Sequence, residues 1–410
     1  MDEKLLLQYA RMAVLAGVNI QKGQTLIINA PIYAADLVRL CAKTAYEAGA
    51  REVVVHYSDE QISRIKMEMT DLSVLCDVKP WQQNSYLEYI KAPGSAAILS
   101  IIGSDPEIYK GLDSDKINKA GVARMNAMAE YRDYTMASRI QWCIVAVPGR
   151  RWAKKVFPEL PVDKAVEKLW ETIFKVSRVY GDAVENWRDY AEKRAVRRDI
   201  INGLDLKEVH FTSSNGTDLR VGLADERVWG GVSELSEKGV EFIPNMPTEE
   251  IFTAPHRENV NGIVYVTKPY VYNGDLIEDF WLKFEKGKVV DYDAKKGKDL
   301  LTALINTDEG SCRLGEVALV PASSPINQEN LLFYNTLFDE NAACHIALGQ
   351  GYPGTVKGGE KMTTRQLLEK GVNDSVVHED LMIGYKDTNI IGTKADGTTV
   401  KIFENGEWVF

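Results

Sequence analysis

The 410-residue sequence predicts two domains of different class: an α/β domain with a parallel sheet over residues 1–200, and a strand-rich α+β domain over residues 201–410. Two observations carry this division. The first half alternates helical and strand patterns, whereas the second half is built of short strands cut by turn dipeptides. The length agrees, because single domains usually span roughly 100–200 residues.

Taken in order, residues 2–16 have the apolar spacing of an amphipathic helix, and Thr25–Ala30 (TLIINA) reads as a buried strand. Ile32–Ala48 reads as a helix ended by Gly49, and Arg51–Tyr57 (REVVVHY) as a second strand, which completes a βαβ unit. Ala97–Ile102 and Trp142–Val147 supply further strands, so the sheet is expected to be parallel and covered by helices. A charged helical pattern from Asp182 to Asn202, stopped by Gly203, connects the halves, and its charges are expected to form a solvated face. Beyond it, Asn215-Gly216, Asn273-Gly274, Asp396-Gly397 and Asn405-Gly406 mark tight turns, with Glu285-Lys286-Gly287 as a further one. Helices in this half are expected only near Leu331–Leu348 and Thr364–Lys370.

The balance of 49 Lys+Arg against 59 Asp+Glu gives a formal charge of -10, which repels phosphate backbones and anionic lipid. No nucleic-acid partner and no membrane association are expected. The most apolar stretch, Ser95–Gly103, is about half as long as a bilayer-spanning helix. The acidic start MDEKLLLQYARMAV lacks the basic region of a secretory signal, and five cysteines lack CxxC spacing. A cytoplasmic protein with reduced thiols is the expectation.

Several catalytic signatures are missing: there is no GxSxG, HExxH or P-loop lysine motif. The one GxGxxG, at Gly349, Gly351 and Gly354, opens no helix of a βαβ unit and reads as a tight loop. His56 and His210 fall in strand patterns and read as structural. His378 and Asp380 stand two apart in a strand-like run, on one face and about 6 to 7 Å apart. Either a divalent cation or a buried His–Asp ion pair would satisfy them. Glu340 and His345 lie five apart at the end of a helical pattern, Glu316 sits inside the apolar run RLGEVALV, and Glu249 and Glu250 adjoin a Pro-framed loop.

Together Glu250, Glu316, Glu340, His345, His378 and Asp380 provide four carboxylates and two imidazoles, enough to neutralise two divalent cations per chain. Oxygen and imidazole donors without thiolate suit Zn²⁺, Co²⁺ or Mn²⁺, with Mg²⁺ as a further choice. Such a set has the composition of a two-metal hydrolase site.

The stretches PNMPTEEIFTAPHRENVNG, GEVALV, TLFDENAACHIALGQGYPGT and HEDLMIG resemble the signature segments of the aminopeptidase T / aminopeptidase S family of metal-dependent aminopeptidases. The resemblance spans essentially the whole chain. It implies metal-ligand roles for Glu250, Glu316, His345, His378 and Asp380, a further, bridging role for Glu340, and an active-site role for Tyr352. It also implies a homodimer acting on short peptides with a free N-terminus, with a broad, apolar-leaning preference. The last motif usually carries an apolar residue between His and Asp, where this chain has Glu379, and alternation points Glu379 away from the metals.

In the mechanism so implied, two metals activate one water, Glu249 is the candidate general base with an exposed or supporting role as its alternative, and Tyr352 faces the developing oxyanion. His256 either lines the same pocket or is polar surface. Ring-cleaving dihydroxypyridine dioxygenases share the fold and hold one iron with ligands similar to His345, His378 and Asp380. The additional carboxylates favour two metals and hydrolysis instead. A structural Ca²⁺ site is disfavoured by the histidines.

Overall fold

The computed structural model describes residues 2–272 and 275–410, so the expected Asn273-Gly274 turn lies outside the described residues. The chain divides into two compact units, Met1–Ala191 with Ser233–Pro247, and Glu192–Val232 with Thr248–Phe410. The first unit is α/β and the second is strand-rich with a few short helices, the fold class expected from the sequence.

In the first unit β1 (Thr25–Pro31), β2 (Glu52–Ser58), β3 (Ala96–Ile102) and β4 (Trp142–Ala146) form a parallel sheet of order β2-β1-β3-β4. The central strands β1 and β3 are buried along most of their length, as continuous apolar runs between helical layers must be. The helix Ala35–Glu47 crosses from β1 to β2, and Gly49, at φ 93°, supplies the left-handed residue that ends it. The N-terminal pattern forms an α-helix over Glu3–Arg11 and then widens to a π-turn over Met12–Gly17. Asp2 caps it by accepting from the Lys4 N–H at 2.8 Å.

The second unit holds two sheets. The larger runs Tyr270–Tyr272, Asp275–Glu285, Pro255–Tyr265, Asp218–Leu223, Leu206–Thr212, Asn389–Lys394, Thr399–Glu404 and Glu407–Trp408, with Lys288–Lys296 pairing to Asp275–Glu285. The smaller is antiparallel: β5 (Ile251–Thr253), β6 (Leu314–Leu319), β7 (His345–Gly349) and β8 (His378–Met382), in the order β8-β7-β6-β5. Every residue of β6 and β7 is buried. One cluster built on Val317, Leu319, Ile346, Leu348 and Leu381 joins this sheet to Phe211, Phe280 and Phe403 of the larger one.

Two expectations are corrected. Leu331–Leu348 is not a helix: only Thr336–Asp339 and a 3₁₀ turn at Glu340–Ala342 are helical, and His345–Gly349 is strand β7. A fully buried strand shows no period-two alternation, so its apolar run imitates a buried helix. In addition, Lys298–Ile305 forms a helix the sequence reading did not place. The helix at Thr364–Glu369 is present, with a capping box between Thr363 and Gln366.

Candidate metal centre

The register of the small sheet aligns the polar residues. Ala318 faces Phe252 on one side and His345 on the other, His345 faces Met382, Ala347 faces both Glu316 and Asp380, and Gly349 faces His378. Because alternate residues share a face, Phe252, Glu316, Ala318, His345, His378, Asp380 and Met382 all project from the same side. Glu250, just before β5, reaches that side as well: its Oε2 is 3.2 Å from His345 Nε2. Small residues at 318 and 347 leave room above the strands for the longer polar side chains.

Glu316 stands in the middle. Its Oε1 lies 3.4 Å from His345 Nε2 and its Oε2 lies 3.6 Å from His378 Nε2. Asp380 Oδ1 is 3.3 Å from His378 Nε2 and 4.0 Å from His345 Nε2. Glu250, Glu316 and His345 each offer a donor atom within 4.8 Å of the others, and all three are buried. His345 is 1% exposed.

Both imidazoles are oriented from behind. His345 Nδ1 lies 3.2 Å from the Ala343 carbonyl and His378 Nδ1 lies 2.7 Å from the Gln350 carbonyl. A carbonyl only accepts, so each Nδ1 carries a proton and each Nε2 points into the carboxylates, the tautomer a metal ligand requires. Asp380 Oδ1 is buried without a hydrogen-bond partner. Its nearest charged neighbour is the His378 imidazole at 3.3 Å, and a buried carboxylate is stable only where a cation meets it. The donor set therefore fits divalent ions held by oxygen and imidazole.

Titration of the cluster tells the same story with protons in place of metal. Burial pushes the Glu316 carboxyl up to about 7, opposed by the hydrogen bond to His345 and reinforced by Glu250. Burial would lower His378, but Asp380 reverses this and raises it to about 10. In His345, likewise, Glu250 and Glu316 outweigh burial and hold the imidazole well above its usual 6.5. Asp380 is lowered, because His378 outweighs its burial. Glu340 is raised well above the usual carboxylate range by burial and by the charges of Glu250 and Asp380. It thus senses the cluster electrostatically, and its Oε1 accepts from Asn341 Nδ2 at 3.3 Å.

Tyr352 sits in the glycine-bounded turn with its ring 4.8 Å from that of His378 and 6.1 Å from that of Phe252. Burial, with Glu316 and Asp380 beside it, raises its hydroxyl well above 10, so the group keeps its proton. The turn requires glycine: Gly349 has φ 107°, and a Cβ there would lie 2.1 Å from the Val377 carbonyl oxygen. Glu249 is buried, its N–H donates to Asn341 Oδ1 at 2.6 Å, and its carboxylate lies 3.9 Å from Arg194.

Elsewhere, Glu379 projects to the opposite face, where it accepts a hydrogen bond from the Tyr270 hydroxyl. His256 packs over Gly371, and its Nδ1 accepts from the Glu258 N–H at 3.2 Å. His210 pairs with Asp218 at 2.6 Å and His56 stacks edge-on to Tyr86, both on strands of other sheets.

Sequence reasoning missed two supporting residues. Arg194 belongs to the charged helix expected to present a solvated face, yet it is 1% exposed and pairs with Glu249. Nothing in an alternating run of charges distinguishes the one that turns inward. Asn341, adjoining Glu340, is fully buried and ties the Glu249 backbone to Glu340. Its signal was a lone amide beside an Ala-Ala-Cys stretch that could only be buried.

The family model described as thermophilic metalloprotease (M29) matches residues 2–408. Aminopeptidase AmpS of Bacillus subtilis (strain 168) is 43% identical over 403 residues, covering 98% of both chains. Aminopeptidase 2 of Geobacillus stearothermophilus is 44% identical over 409 residues, covering 100% of this chain and 98% of that one. Among solved structures, wild-type AmpT from Thermus thermophilus matches with a TM-score of 0.92 at 38% identity over 100% of both chains. A 2,5-dihydroxypyridine dioxygenase from Pseudomonas putida KT2440 matches with a TM-score of 0.55 at 11% identity, over 100% of this chain and 98% of that one, a likeness of fold alone.

Proposed function

The chain belongs to the M29 thermophilic metalloprotease family and is a metallo-aminopeptidase, and on that premise we propose that it releases apolar N-terminal residues from short peptides with two divalent ions acting on one water. The observation that carries the two-ion reading is the position of Glu316, whose two oxygens lie 3.4 and 3.6 Å from two different imidazoles. His345 with Glu250 would hold one ion, His378 with Asp380 the other, and Glu316 would serve both. Glu340, whose carboxyl is raised by burial and by the charges of Glu250 and Asp380, would supply the further carboxylate.

When bound, the ions lower the pKa of a shared water and polarise the scissile carbonyl. The chain's own residues do the rest. The Ala343 and Gln350 carbonyls fix the imidazoles, so the ligands need no rearrangement to meet a cation. Tyr352, protonated and next to His378, donates a hydrogen bond to the carbonyl oxygen as charge develops there. Glu249, the carboxylate outside the ligand set, is oriented by Arg194 and Asn341 and carries the proton from water to the leaving amine. Zn²⁺, Co²⁺ and Mn²⁺ all suit these donors, and Mg²⁺ less so because imidazole is a poor partner for it. We further propose a homodimer working in the cytoplasm. Among the described residues no helix is long and apolar enough to cross a membrane.

The test is hydrolysis of leucyl-p-nitroanilide by chelator-stripped protein with Zn²⁺, Co²⁺ or Mn²⁺ restored and bound metal counted. Activity should be absent without metal and reach its maximum at two equivalents per chain. Saturation at one equivalent would overturn the two-ion reading while leaving the aminopeptidase.

A further inference from the structure

Among the residues of β5, β6 and β7, all are buried except Phe252. Its ring stands on the same face as the candidate ligands: Phe252 is paired directly with Ala318, which is paired in turn with His345. The ring lies edge-on to Tyr352, 6.1 Å between centroids at 65°, and Tyr352 lies 4.8 Å from His378. Glu250 is two residues away, about 6 to 7 Å along the chain.

On its outer side Phe252 pairs with Gly230, through Gly230 N–H to the Phe252 carbonyl at 2.8 Å and Phe252 N–H to the Gly230 carbonyl at 3.2 Å. A Cβ built on Gly230 would point at the ring and lie 3.5 Å from its tip, ordinary van der Waals contact. The cross-strand partners of this partly exposed ring are thus small, a glycine on one side and Ala318 on the other. The same face carries Glu250 and Glu316, the carboxylates that meet the His345 imidazole. An apolar ring left partly exposed among three strands that are otherwise buried is a surface that an apolar group can cover in use.

We infer that Phe252 is a specificity-determining residue, the wall against which the apolar side chain of the substrate's N-terminal residue packs, with the missing side chain at Gly230 giving that residue its room. The inference rests on the aminopeptidase reading and adds to it the place where the N-terminal side chain is sensed. Alkyl side chains of leucine size would cover the ring, and alanine would leave most of it wet.

The test compares leucyl- and alanyl-p-nitroanilide on the metal-loaded full chain, together with calorimetric affinities for leucinol and alaninol, amino alcohols that cannot be cleaved. Phe252→Ala should lower the leucyl-to-alanyl ratio of kcat/KM by about ten-fold, chiefly through KM for the leucyl substrate, because a few methylenes in an apolar pocket are worth that much. Gly230→Val should lower the same ratio by filling the space from the other side, and the leucinol-to-alaninol affinity ratio should fall in parallel. Should Phe252→Ala fail to fold, Gly230→Val still carries the test, since Gly230 is partly exposed and its new Cβ meets no clash. Active variants with unmoved ratios would overturn the inference and leave the aminopeptidase standing. A metal-loaded wild type that cleaves neither substrate would overturn the reading beneath it.

Discussion

His378 and Asp380 were legible in the sequence because a period of two puts them on one face, and the register across Gly349 and Ala347 shows why that face matters. The residues around them were not: Arg194 and Phe252 have the same composition signal whether they turn inward or outward. The cluster has a consequence for stability that can be signed. His378 titrates near 10 in the folded chain, above the 6.5 of an unfolded imidazole, so its contribution is present in full below pH 6.5 and is lost as pH rises through about 10. Glu316, raised from 4.5 to about 7, acts in the same direction at lower pH, its contribution being lost as pH rises between those two values. Metal-free protein should therefore melt at progressively lower temperature from pH 6.5 to 10. Metal should flatten the trend and release protons on binding, read by calorimetry in buffers of different ionisation enthalpy. His378→Ala should weaken the slope; a slope unchanged in that variant would mean that the imidazole is not the titrating group.

At the scale of elements, legibility followed period and punctuation. The βαβ alternation and the Gly-ended helix stand out because strand and helix periods differ, whereas β7 imitates a helix because HIALG is buried on both faces and shows no alternation. The glycines beyond it were recognisable as a loop, and the structure adds what the loop does: Gly349 closes β7 opposite His378, so the turn fixes the register of the strand bearing two candidate ligands. Gly349→Ala would force a Cβ to 2.1 Å from the Val377 carbonyl oxygen at a positive φ. The expected cost is about 2 kcal/mol or more, with a lower melting temperature and loss of bound metal. Gly354→Ala, in the same motif, meets only the Glu360 carboxylate at 3.5 Å and should be within about 0.5 kcal/mol of wild type. Equal behaviour of the two variants would show that the loop tolerates movement and does not hold β8 in place.

For the whole molecule, the surface raises a question that the metal site does not. The helix Glu60–Met69 buries none of its residues, yet Ile62, Ile65 and Met69, spaced three and four apart on one side, are 65%, 58% and 78% exposed. Nearby in sequence, Val74 and Trp81 are 58% and 67% exposed. A chain with a formal charge of -10 has ample polar side chains for its surface, so a continuous apolar stripe is a face that association would cover. A second copy of the chain is the proposed cover, because a symmetric pair brings the same stripe from both sides and a stable contact needs only about 800 Å² from each. Sedimentation equilibrium should give close to twice the 45.9 kDa chain mass, and Ile65→Glu with Met69→Glu should give the single chain. Both positions are exposed on a helix that contributes nothing to the core, so the double variant should keep its melting temperature within a few degrees at matched metal content. If wild type sediments as one chain, the stripe serves something other than self-association. If the double variant remains paired, the copies meet elsewhere on the surface.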